Sequence, residues 1–261
     1  KDVTITDSAI GALFIEGTVD GAKIDIRNSK IGYIQCTVAV TGSTIAVSDS
    51  AIGAYNYTDV RSKKIPVIFS KDISGSQVSF TNTNITSVTG TSNYGMSIVK
   101  VVGGSTFTVS KCNVTLVASL MTVSMTVYGV RVSNVLSGST FSMLDSTVAV
   151  TDPANAGKVQ NYIAIYAGVV EASELIVRGV QNNITGVQTR GSTSSPNSHV
   201  YVDAPRGQST VTVADNHFEE HAPKSGITYA VSFGIAEDVS LWVNGNTCIL
   251  DQANTAACII L

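Results

Sequence analysis

Charge is what this sequence has little of. Only 13% of its 261 residues are Asp, Glu, Lys or Arg, against about 25% in an average soluble domain. The 16 basic and 19 acidic residues leave a net charge of −3 and form no basic run or stripe. Clustered Lys and Arg are the footprint of nucleic-acid binding, so that partner class is excluded. No apolar run reaches the ~18 residues that span a bilayer, so no membrane-spanning segment is expected. A signal peptide is missing too, and residue 1 already lies inside a repeat. The chain therefore reads as a mature portion, an excerpt of a longer solenoid, or a stacking subunit. Four cysteines, Cys36, Cys112, Cys248 and Cys258, show no metal-ligand spacing. They read as small buried residues, with Cys248 and Cys258 the candidates for one bridge across a turn. No cofactor is implied.

What the chain has is a repeat. Asp7-Ser8-Ala9-Ile10-Gly11-Ala12 recurs identically as Asp49-Ser50-Ala51-Ile52-Gly53-Ala54. A degenerate copy, Asn28-Ser29-Lys30-Ile31-Gly32-Tyr33, stands midway, 21 residues from each. A fixed period with a constant apolar slot describes one unit stacked on itself. The period continues through apolar pairs two residues apart: Val3/Ile5, Ile24/Ile26, Ile45/Val47, Val78/Phe80, Phe107/Val109, Phe141/Met143, Leu175/Val177, Val211/Val213 and Leu241/Val243. Alternation at two residues is strand geometry.

A second apolar ladder follows at Ile10, Ile31, Ile52, Ile85, Val114, Val148, Phe218 and Cys248. The unit of Leu175 breaks it, and Ile184, four residues late, is its candidate. Third apolar stretches precede each Gly/Ser start, at 34–40, 65–69, 96–102, 130–135, 163–170, 200–202 and 231–235. These features predict an all-β, right-handed parallel β-helix over residues 1–261, with about nine rungs and three strands per rung. Val109, Val47 and Ile26 should be buried in register, with Thr108 and Ala46 facing out. An antiparallel sandwich also has short strands and frequent turns, but no reason to repeat every 21 residues. Asp7, Asn28 and Asp49 read as a turn-stabilising ladder.

Later repeats are longer, and their extra residues fall in one register: 55–64, 87–94, 118–127, 151–161, 186–198 and 219–228. Insertions at one register of a solenoid stack into one face, often the binding face. Four Asn-x-Thr sequons lie at or beside it, at Asn56, Asn84, Asn113 and Asn183. Asn84 and Asn113 each stand nine residues after a corner glycine, before an inward residue, so their side chains should turn outward. Glycosylation there would mean a secretory origin; stacking of Asn within the coil is the competing structural reason.

His217-Phe218-Glu219-Glu220-His221 matches the H-x-x-E-H of inverted zinc peptidases. That chemistry needs a helix to bring both imidazoles together. Phe218 is a ladder residue and no helical pattern surrounds it, so a solvated acidic loop is expected, with His217 and His221 only weak metal ligands. Polysaccharide lyases and hydrolases need clustered carboxylates on an exposed sheet. The outward strand positions are Thr, Ser, Ala, Leu and Trp, with Asp25/Arg27 the charged pair, and no Asp-Asp or Gly-His-Asp occurs. Thr4/Thr6 opens an ice-matching array that Asp25/Arg27 and Ala46/Ser48 interrupt.

One phrase recurs: an aromatic residue, Gly or Ala, Val, then a spacer and a Gly/Ser start with alternating apolar residues. It is seen in Tyr128-Gly129-Val130-Arg131-Val132 leading to Gly138-Ser139-Thr140-Phe141, and in Tyr229-Ala230-Val231-Ser232-Phe233 leading to Ser240-Leu241-Trp242-Val243. This resembles the β-helical repeats of the kinetoplastid dispersed-gene-family surface proteins, large glycoproteins of pectin-lyase-like shape. The resemblance implies a secreted or cell-surface protein without a catalytic motif, acting in adhesion or matrix contact. The expected function is a non-enzymatic structural or adhesive glycoprotein that contacts host or matrix glycan or protein through its loop face. Both ends lack polar caps, so end-to-end self-association into a filament is a further expectation. The alternative is a carbohydrate-binding or polysaccharide-cleaving β-helix.

Overall fold

The computed structural model describes residues 1–53, 65–88, 93–117, 125–151, 159–185 and 197–260; of the side chains at 125, 159–160, 222–226, 251–256 and 259–260 nothing is said. Among the described residues every strand pairing is parallel and no helix is present, and they form an all-β solenoid. The first ladder runs through Asp2–Thr6, Lys23–Arg27, Thr44–Ser48, Gln77–Thr81, Thr106–Ser110, Thr140–Leu144 and Glu174–Arg178. It continues into the end of Asn197–Ala214 and into Glu237–Asn244. Like stacks on like: Ile26 pairs with Val47, Val47 with Phe80 and Phe80 with Val109, all buried. Thr108 and Ala46 point to the half-buried outer face. Phe80, Phe107 and Phe141 stack with ring centroids 5.9 and 5.7 Å apart along the axis.

Two corrections concern the coil itself. The 21-residue repeat carries four strands rather than three: Asp2–Thr6, Ala9–Ile10, Leu13–Ile15 and Val19–Asp20. The last two fuse into Val67–Ser74, which pairs with both Ile34–Cys36 and Val40–Thr41. A longer repeat can carry pairing across that bend through a bulge between Phe69 and Asp72. The expected nine rungs correspond to nine first-ladder segments, but fewer turns close within the described residues. Residues 54–64, 89–92, 118–124, 152–158 and 186–196 fall between the second and third ladders.

The second ladder corrects the sequence expectation for Ile184. Asn182 occupies the slot between Val148 and Phe218 and is buried, while Ile184 takes the next inward slot between Val150 and Glu220. Residue-for-residue pairing outweighs the preference for an apolar side chain, because slipping the strand would turn every other side chain around. The sixth insertion, 219–228, also differs from expectation. It lies within the continuous strand His217–Phe233, paired to Thr247–Ile260 with one irregularity between His221 and Ser225.

The corners explain the sequence period. At the first, Asp7, Asn28, Asp49, Asn82, Lys111, Asp145 and Asp215 all have φ between 45° and 56°, and Gly179 and Gly245 have φ of 64° and 63°. Asn, Asp and Gly tolerate this left-handed conformation best. Asn28 Nδ2 donates to Asp7, and Asn82 Nδ2 donates to Asp49 at 2.7 Å. Between consecutive aspartates in this series stands Asn, Lys or Gly, so carboxylates do not stack directly on one another.

At the opposite corner, a serine follows the left-handed residue and turns inward. Successive backbone N–H groups donate to the serine of the next turn: Ala22 to Ser43, Ser43 to Ser76, Ser76 to Ser105, Ser105 to Ser139 and Ser139 to Ser173, at 3.0–3.2 Å. Ser43, Ser76 and Ser105 Oγ donate in turn to carbonyls of their own coil at 2.7–2.8 Å. Buried backbone donors are satisfied without a strand.

Replacing Asn28 by Asp should place three carboxylates in sequence along the first corner and remove one side-chain bond. The backbone conformation suits Asp equally, so the cost is electrostatic. We expect a loss of about 1 kcal/mol in urea denaturation at low ionic strength, shrinking as added salt screens the carboxylates from one another. A penalty independent of salt would show that charge alternation is not what the column selects.

Candidate recognition face on the third ladder

The outward side of the third ladder carries a feature not legible as a motif. Tyr94 pairs directly with Tyr128, and Arg131 lies in register with Tyr166, which pairs with Tyr201. The ring centroids follow one another at 5.3, 5.5 and 5.7 Å. All four tyrosines are half-buried. The guanidinium of Arg131 lies 5.4–5.7 Å from the ring centroids of Tyr94, Tyr128 and Tyr166, within cation–π range. Its Nη1 donates to the Tyr94 hydroxyl at 2.9 Å. Its Nε is buried without a hydrogen-bond partner among the described residues. Tyr166 and Tyr201 donate their hydroxyls to the exposed Asp203 at 3.4 and 2.9 Å.

Local sequence places these rings. Gly follows both Tyr94 and Tyr128 because the backbone passes very close to the next turn. A Cβ at Gly129 would lie 2.4 Å from Val148 Cγ1 and 2.6 Å from the Ala164 carbonyl oxygen. The phenols of Tyr128, Tyr166 and Tyr201 stay neutral at physiological pH. Burial raises the pKa of Tyr128 and Tyr166, and burial with the Asp203 hydrogen bond pushes Tyr201 up to about 12. The strip thus presents a permanent cation, an exposed carboxylate and neutral hydroxyls on rigid rings. Among the described residues, neither Arg131 nor Asp203 belongs to an ion pair.

Behind the same ladder lies a buried polar group. Tyr162, Asn197, His199, Glu220 and Thr228 are all inaccessible to solvent. Tyr162 N–H donates to Asn197 Oδ1 at 3.3 Å, Asn197 Nδ2 donates to Thr228 Oγ1 at 3.3 Å, and the Tyr162 and Thr228 hydroxyls lie 3.5 Å apart. Burial and a hydrogen bond to Glu220 hold the Tyr162 phenol well above its ordinary pKa. His199 packs between Tyr162 and Phe218, with ring centroids at 6.1 and 5.4 Å. Burial alone lowers its pKa to about 3, so the imidazole is neutral.

The sequence-derived sites fall elsewhere. His217 and His221 flank Glu219 on the outer face of a strand, at 3.8 and 2.6 Å from its carboxylate oxygens, rather than in a solvated loop. Glu220, the acid of the H-x-x-E-H match, points into the core because strand side chains alternate. Among the described residues no three His, Cys, Asp or Glu side chains are grouped to hold a metal. Asn84 and Asn113 are exposed and pair directly, with Asn113 Nδ2 donating to Asn84 Oδ1 at 2.9 Å. Asn183 is half-buried, its Oδ1 accepting from Thr185 Oγ1 at 2.7 Å. Asn56 lies outside the described residues, as do most of the insertions. Cys36 and Cys112 are buried thiols whose pKa burial raises. Cys248 and Cys258 are free thiols; burial, then a hydrogen bond to Cys258, raises the pKa of Cys248. No helix among the described residues is long and apolar enough to cross a membrane.

His199 supplies a pH test. Its folded-state pKa lies below the unfolded value near 6.5, so the unfolded chain gains a proton that the folded chain refuses. Its share of stability is intact above about pH 6.5 and falls toward pH 3, by at most about 1.4 kcal/mol per pH unit. His199→Phe should flatten the stability curve in that window in denaturant titrations. Parallel curves for both proteins would place a charged imidazole in the fold.

No family model, curated protein or solved structure matches this chain.

Proposed function

We propose that this chain is a non-enzymatic, extracellular β-solenoid glycoprotein with a structural and adhesive role, and that the Tyr94–Tyr128–Arg131–Tyr166–Tyr201 strip is its contact surface. The reading is the one implied by the resemblance to the kinetoplastid dispersed-gene-family surface proteins. One observation carries it furthest: two neighbouring register columns of one outer sheet face, Tyr94 with Tyr128 and Arg131 with Tyr166 and Tyr201, bring four tyrosines and an arginine together. Tyr and Arg are the residues that most often anchor recognition surfaces. Tyr offers large contact area with few rotatable bonds, so little entropy is lost on binding. The strip also lies on the ladder that follows the insertions in sequence, which supports a shared binding face.

The ligand class this chemistry favours is carbohydrate. Sugar hydroxyls can accept from Arg131 and donate to Asp203, and apolar C–H faces suit tyrosine rings. A carbohydrate-binding role is thereby joined to the adhesive one. Cleavage is the rival reading.

The test is a glycan and matrix-protein binding panel on the secreted protein, with Arg131→Ala and Tyr201→Phe alongside. Tyr201→Phe keeps the ring and removes only the hydroxyl that Asp203 holds. We expect wild-type binding to at least one glycan class, with each variant weaker by about tenfold or more, equivalent to about 1.4 kcal/mol. Unchanged thermal unfolding of Tyr201→Phe separates binding from folding. Binding indifferent to both variants would contradict the strip assignment, and shortening of any bound polysaccharide would contradict the non-enzymatic reading.

A further inference from the structure

The pair Asn84 and Asn113 can be resolved further, on the basis of the glycoprotein reading above. The two sequons are 29 residues apart in the chain but occupy one position on neighbouring strands. Parallel neighbours lie about 4.8 Å apart, so two branched glycans attached there would occupy the same space. The pair therefore behaves as one site.

The amides are not equivalent. Asn113 Nδ2 is directed at Asn84 Oδ1, 2.9 Å away. A sugar on Asn113 would take one of the two hydrogens on the nitrogen that faces Asn84 and would crowd the Asn84 side chain. Asn84 presents its oxygen to Asn113, so that bond does not engage its own Nδ2, and the other neighbour of Asn84 is the preceding strand. There its register partner is Ala51, a side chain too short to obstruct a substituent. Beyond Ala51 opens a groove of about 310 Å³ that Asn84 itself lines, together with Asn28, Lys30, Asp49 and Asn82. These side chains offer a cation, a carboxylate and two amides, which can donate to and accept from the hydroxyls and acetamido group of a first N-acetylhexosamine. On the far side of Asn113 stands Thr147, a branched residue.

We propose that Asn84 is the glycosylated member of the pair, with its first sugar seated in this groove, and that Asn113 stays bare. Attachment takes place on the extended chain, and the selection acts at folding. A chain modified at both residues cannot bring its strands into register and is not secreted.

Glycopeptide mapping of the protein secreted from eukaryotic cells, after enzymatic release in heavy-oxygen water, reads each residue separately. Thr86→Ala and Thr115→Ala abolish the sequons without touching either asparagine. The expected result is modification at Asn84 and none at Asn113, with one glycan mass lost in Thr86→Ala and none in Thr115→Ala. Secreted molecules carrying sugar at both residues, or at Asn113 alone, would overturn the assignment. A protein secreted with every sequon bare would instead overturn the glycoprotein reading, and the assignment with it.

Discussion

The hydrogen bond from a corner N–H to the serine of the next turn is the interaction on which the rest of this solenoid depends. Strands satisfy their own backbone through the parallel ladders, and the corner serine carbonyls accept from the next turn, but the corner serine N–H groups donate to a hydroxyl instead. Ser43, Ser76, Ser105 and Ser139 sit at such corners and are buried. Each is bound through its N–H to the turn after it and through its Oγ to the turn before it. A buried donor left unmade costs about 1–3 kcal/mol, more than a typical hydrogen bond contributes. The relay therefore penalises any slip of one turn against the next, and it fixes which side chains face in and which face out.

Fixed register has consequences in both directions. Outward, it aligns residues that are remote in sequence, so four tyrosines, Arg131 and Asp203 become one strip and two sequons become one contact. Inward, it admits residues that the core would otherwise reject. Asn182, His199 and Glu220 enter because the backbone pairing of their neighbours leaves no other orientation. The same group closes the core behind the recognition face, so the rigidity of the strip and the chemistry of the buried cluster are properties of one segment.

The parallel solenoid was legible because identical slots recur at 21 residues and alternate at two. Val109, Val47 and Ile26 fall where the alternation puts them. Ile184 does not, because hydrophobicity points to it where the backbone follows count: Leu175 to Asn182 is the same seven-residue step as Val78 to Ile85. The fourth short strand was hidden inside the third apolar stretch, since Val19 and Val40 look like its continuation. The inward serines had a signal that hydrophobic ladders ignore, a serine directly after the left-handed residue in Gly42-Ser43, Gly75-Ser76, Gly104-Ser105 and Gly138-Ser139. The tyrosine strip had a weaker one, the Tyr-Gly dipeptides at 94 and 128. Tyr166 and Tyr201 carry no glycine after them and meet the others only once the register is known.

Amide hydrogen exchange at the corner serines tests the account most directly. The N–H groups of Ser43, Ser76, Ser105 and Ser139 lie outside every strand, so an ordinary turn would leave them to exchange rapidly. If the hydroxyl relay sets the register, they are protected to the level of the strand amides of Phe80 and Phe107 and open only with global unfolding. Exchange at the rate of exposed turns, while Phe80 and Phe107 stay protected, would contradict the relay and leave strand pairing alone to hold the turns in place.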